Sequence, residues 1–104
     1  MDVESDTRIA EINDRFRKSG TAFMLTQGTM VLGDVTGLID AVRTYSDFNE
    51  DNDPWGEHDF GSLDWYGNKL FWKIDYYDQE LKYGKDPLDL TCNRVLTILL
   101  ADEY

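Results

Sequence analysis

The chain has 104 residues, 41% hydrophobic and 30% charged, with 21 Asp and Glu against ten Lys and Arg and a net charge of −11. That composition suits one compact domain and excludes a disordered tail or a fibrous repeat. Such an excess of negative charge repels phosphate backbones and anionic bilayers, so direct nucleic-acid and membrane-surface binding are the first functions to drop.

In chain order, Ser5 is a candidate cap for a first helix. Ile9, Ile12 and Phe16 recur at helical spacing, Gly20 suits the stop, and Glu11, Asp14, Arg15 and Lys18 read as its solvated face. Thr21 to Leu32 reads as extended, with Gly28 marking a bulge or turn. Asp34 is a plausible cap for a second helix carrying Leu38, Ile39, Val42 and Tyr45 as its apolar stripe. Asp47 to Asp64 is then mostly loop, rich in Asn, Pro and Gly. It holds seven acidic residues (Asp47, Glu50, Asp51, Asp53, Glu57, Asp59, Asp64) and no Lys or Arg.

Gly67-Asn68 predicts a two-residue hairpin turn of type II′, pairing Trp65 with Leu70 and Leu63 with Trp72. Alternation then places Leu63, Trp65, Leu70, Trp72 and Ile74 on one apolar face, with Ser62, Asp64, Tyr66, Lys69, Phe71 and Lys73 on the other. Thr91 is a candidate cap for a closing helix through Val95 to Leu100, apolar nearly all round; a strand is the competing reading of the same residues. The order predicts an α+β fold: a small antiparallel sheet with a central hairpin over about 59–77, packed by two or three helices. Residues 1–104 read as one domain, with 1–20 as a peripheral helix.

A single cysteine, Cys92, precludes an intramolecular disulfide and points to a reducing cytoplasm. The acidic N-terminus lacks the pattern of a secretory signal. The apolar run Val95–Ala101 is far short of the ~20 residues a membrane span needs.

Three chemistries compete for the acidic segment. As a metal loop, Asp51 and Asp53 fall at positions one and three of a calcium-binding hand and Gly56 at six. Trp55 and Ser62 then stand where ligand oxygens belong. An irregular site built from Asp51, Asp53, Glu57, His58 and Asp59 remains as the metal alternative, for a metal-binding protein or metal-dependent hydrolase; His58 and Cys92 alone make a poor zinc set. As a catalytic centre, His58 has Glu57 and Asp59 beside it, but Ser46, Ser62 and Cys92 lie in no nucleophile motif. No phosphate- or dinucleotide-binding glycine pattern occurs, so neither enzyme nor cofactor is expected. As an interaction surface the segment is better furnished. Eight of the fourteen aromatics lie between Trp55 and Tyr77, and Trp and Tyr dominate binding hot spots. Carboxylates around them steer a basic partner. The expected partner-binding set is Asp47, Glu50, Asp51, Asp53, Trp55, Glu57, Asp59 and Asp64, which can present carboxylates where DNA presents phosphates, one charge per ~1.7 Å of axis.

Asp51-Asn-Asp-Pro-Trp-Gly-Glu-His-Asp-Phe-Gly61, Phe71-Trp-Lys-Ile-Asp-Tyr-Tyr-Asp78 and Arg94-Val-Leu-Thr-Ile-Leu-Leu-Ala-Asp-Glu-Tyr104 together resemble an uncharacterised family of small bacterial proteins over about residues 21–104. The resemblance carries no catalytic residues. It implies a bacterial setting on plasmids, prophages and other mobile elements, whose small acidic proteins are often anti-CRISPR or anti-restriction inhibitors. The expected function is therefore a non-enzymatic inhibitor or adaptor that docks on a basic, nucleic-acid-binding surface, in its sharpest form a DNA mimic acting against a CRISPR or restriction complex. A partner module of a toxin–antitoxin or plasmid-maintenance system is the remaining alternative.

Overall fold

The computed structural model describes residues 3–81, 83–89 and 91–104, with side chains from residue 8 onward. Helix α1 spans Val3–Ser19, strand β1 Phe23–Leu25, helix α2 Gln27–Val31 and helix α3 Val35–Arg43. Strands β2 (Phe60–Trp65), β3 (Asn68–Tyr77) and β4 (Asn93–Leu100) follow, and a 3₁₀ turn at Ala101–Glu103 closes the chain. The α+β class stands. The four-stranded sheet has the order β1-β4-β3-β2, and it is mixed rather than purely antiparallel because the short β1 runs parallel to β4.

Three expectations change. The closing segment is strand, not helix. An all-round apolar pattern equally fits a central strand covered on both faces, and β4 lies between β1 and β3. Leu96 and Ile98 face the core, while Leu99 is buried on the other side. Residues 21–32 are extended only over β1. Thr26 then caps α2, its hydroxyl accepting from the Thr29 amide, and Gly28 sits inside that helix instead of at a bulge. The hairpin turn is Tyr66-Gly67, both with positive φ (49° and 80°), as a type I′ turn requires. Asn68 becomes the first residue of β3, opposite Trp65, and its side-chain Nδ2 donates back to the Tyr66 carbonyl.

Moving the turn by one residue moves the register by two, to Leu63 opposite Leu70 and Gly61 opposite Trp72. A two-residue slip preserves the faces, because side chains alternate with period two. The apolar side predicted for the hairpin is accordingly the core side. Leu70, Trp72 and Ile74 are buried with Leu96 and Ile98 under Leu38 and Val42 of α3. Asp64 faces Lys69 directly.

Asp34 does cap α3. It accepts from the Gly37 amide and also from the Tyr66 hydroxyl at the hairpin tip. Helix α1 already includes Ser5, which is therefore not its boundary residue; the Ser5 side chain lies outside the described residues. On the second face of the sheet, Tyr104 packs edge-on against Phe60 and Phe71. Glu103 accepts from Thr26 Oγ1 and the Leu100 amide, which hold its carboxyl below the usual range.

Candidate functional site, an acidic loop clamped to the first helix

Sixteen residues, 44–59, connect α3 to β2 without helix or strand, and side-chain hydrogen bonds set the path of the acidic part, 47–59. Asn49 Oδ1 accepts from the amides of Asp51 (2.8 Å) and Asn52 (3.1 Å). Asn52 returns the contact, accepting from the Asn49 amide and donating to the Asp47 carbonyl. Such Asx bonds let short polar side chains stand in for backbone partners. Gly56 and His58, at φ of 65° and 55°, turn the chain back toward the sheet.

The seven acidic residues of the segment then divide. Asp47, Glu50 and Asp51 are exposed and make no ion pair among the described residues. Asp64 is also exposed, on β2 opposite Lys69. Asp53 is turned inward: its carboxylate accepts from the backbone amides of Glu57 and His58 at 3.1–3.3 Å. Glu57 and Asp59 are half-buried. Burial raises the Asp59 carboxyl above its ordinary value, with the Asp53 charge adding to the effect and the Tyr76 hydroxyl partly offsetting it. Trp55 stands 63% exposed at the apex.

His58 is the clasp. Its ring stacks flat on Phe48, with centroids 3.9 Å apart, and Nδ1 donates to the Asp14 carboxylate at 2.9 Å. Nε2 lies 3.7 Å from Asp53 Oδ2. Asp14 also accepts from Arg17 Nη1 at 3.0 Å. Arg17 is almost wholly buried. Its guanidinium lies over the Phe48 and Trp72 rings and donates to the Tyr45 carbonyl. One turn earlier, the fully buried Asn13 donates to the Glu57 carbonyl and the Tyr76 hydroxyl and accepts from Arg94 Nε at 2.7 Å. Burial raises the Tyr76 phenol well above its ordinary value.

The polar side of α1 at Asp14, expected to be solvated, is thus what ties the loop to the sheet. Asn13 and Arg17, which carry that joint, carry no sequence signal as core residues. The one hint lies in their spacing: Ile9, Asn13 and Arg17 are four apart, on one stripe of a helix.

Chemically, this arrangement presents carboxylates on a fixed loop. Among the described residues no three His, Cys, Asp or Glu side chains, those of Asp51, Asp53, Glu57, His58 and Asp59 included, are disposed to hold a metal ion. Both sides of His58 face carboxylates, and no hydroxyl or thiol contact to its ring appears among the described residues. No helix among the described residues is long and apolar enough to cross a membrane.

No curated protein and no solved structure matches the chain. A sequence profile does match, over residues 25–103, from β1 into the final turn; α1, which supplies Asn13, Asp14 and Arg17, precedes the matched region. The chain belongs to the DUF3768 family, described as proteins of unknown function.

Proposed function

We propose that this chain is a non-enzymatic binding module whose acidic loop docks on a basic protein surface. Asp47, Glu50 and Asp51 supply the charge, Asp64 extends it along β2, and Trp55 is the anchor. The observation that carries this reading is the unpaired state of the outer carboxylates among the described residues, on a loop already fixed by Asn49 and Asn52. A pre-ordered loop loses little conformational entropy on docking. An exposed Trp on an acidic loop suits a hot spot that a cationic partner approaches under electrostatic steering. In its finer form the partner is a Lys- and Arg-rich channel that otherwise holds nucleic acid, in a CRISPR or restriction complex, and the protein competes for it as an inhibitor. The exposure of Asp47, Glu50, Asp51 and Asp64 on loop and strand, and the mobile-element setting that the family resemblance implies, support that form.

The test is capture from a defence-competent bacterial lysate by the wild-type chain and by a triple variant, Asp47→Lys, Glu50→Lys and Asp51→Lys. A partner that is held at low salt, released at high salt and by added DNA, and lost from the triple variant is the expected result. Identical captures by both proteins would sink the proposal.

A further inference from the structure

On the opposite side of α1 from the Asp14–His58 clasp lies an open cleft of about 480 Å³, between the second half of that helix, residues 20–22 and the start of β4. This volume falls within the range of small-molecule sites. Ile12, Phe16 and Ala22 make an apolar wall, and Arg15 and Arg94 provide the charge. No Asp or Glu is among its described lining residues, although acidic residues outnumber basic ones two to one in the chain.

Among the described residues neither arginine makes an ion pair with a carboxylate. Arg94 donates Nε to Asn13, Nη1 to Cys92 Sγ at 3.1 Å and Nη2 to the Pro87 carbonyl, all uncharged acceptors. A guanidinium has five N–H groups, so one remains on each terminal nitrogen, the number a carboxylate takes in bidentate pairing. Arg15 is exposed and has no ion pair among the described residues. The negative end of the α1 dipole, which would oppose an anion, is covered by Arg43. That side chain donates to the Arg17 and Gly20 carbonyls at 3.1 and 3.0 Å.

We propose that this cleft binds a small organic carboxylate, its charged group held by Arg15 and Arg94 and its apolar part against Ile12 and Phe16. The site is separate from the acidic loop and stands or falls independently of the proposed function.

The test is an amide chemical-shift titration of the full chain with benzoate, with benzyl alcohol and inorganic phosphate as parallel probes. Saturable shifts at Ile12, Phe16, Cys92 and Arg94 are expected with benzoate at millimolar concentration, and far weaker ones with the alcohol. Arg15→Gln, at an exposed position without described partners, should weaken benzoate about tenfold while leaving the spectrum otherwise intact. Absence of saturable shifts up to about 10 mM would overturn the site. Equal response to benzyl alcohol, or unchanged affinity in the Arg15 variant, would overturn the role of the charge. Tighter binding of phosphate at the same amides would overturn the organic carboxylate as ligand.

Discussion

The two halves of the acidic segment are alike in composition and opposite in use. In residues 47–52 the carboxylates face water, and the asparagines do the structural work: Asn49 and Asn52 take the backbone bonds. In residues 53–59 the acidic side chains are drawn into the structure. Asp53 accepts backbone amides, Asp59 is partly desolvated, and the Glu57 carbonyl is held by Asn13. The difference teaches that local density of Asp and Glu does not measure available charge. A carboxylate beside a turn of positive-φ residues has unpaired amides within reach, and Asp53 takes those of Glu57 and His58 in place of a cation.

Mutations should separate the halves. The largest loss is expected at the joint beneath the inner half. Asn13→Leu removes a buried partner from Tyr76, Arg94 and the Glu57 carbonyl and should cost about 3 kcal/mol in urea unfolding. Gly61→Ala comes next, at about 2 kcal/mol. A Cβ there falls inside contact distance of the Trp72 indole nitrogen and 2.8 Å from Tyr45 Cε1, two rings packed edge-on against the Phe48 ring that His58 stacks on. Asp53→Ala should cost about 1.5 kcal/mol by freeing the Glu57 and His58 amides. The same substitution at Asp51 should change stability by less than about 0.5 kcal/mol. Equal losses at Asp53 and Asp51 would erase the distinction between the halves.

A pH series sharpens the comparison further. The Asp59 carboxyl is raised in the folded state above its ordinary value of 3.8, first by burial and then by Asp53. Between the two values the folded chain binds the proton that the unfolded chain has lost. Stability from this group therefore falls as pH rises from below 3.8 through the raised folded value, and then stays level. Asp59→Asn removes that descent while keeping an acceptor for Tyr76. The variant should be more stable than wild type at neutral pH, and the gap should close in acid; a gap constant with pH would contradict it. The smallest effect on stability is expected at Trp55, 63% exposed. Trp55→Ala should leave the unfolding midpoint nearly unmoved, within about 0.5 kcal/mol, while weakening partner capture. Loss of stability there would assign the ring to the scaffold.

The legible part of the structure was the part governed by local periodicity. The apolar face of the hairpin, the Asp34 cap and the α3 stripe follow from alternation, from a short acceptor side chain before a helix and from spacings of three and four. The acidic segment was legible as loop, because Asn, Gly and Pro disfavour regular structure wherever they occur together. Register was less so: Tyr66 rather than Asn68 enters the turn, and only pairing across the sheet distinguishes the two. The closing strand was ambiguous for a similar reason. Val95 to Leu100 is apolar on every side, and its conformation depends on neighbours on both edges.

The sequence by itself determined the amount of negative charge, the class of fold and which hairpin residues share a face. Composition fixes the first, and short-range sterics with side-chain alternation fix the others. Tertiary structure decided which carboxylates remain available. It brought α1 against residues 28 to 44 positions further along the chain, so that Asn13, Asp14 and Arg17 meet Glu57, His58 and Tyr45. A buried polar joint of this kind has no periodic signature, because most of its hydrogen bonds join groups remote in the chain, and only packing brings them within range.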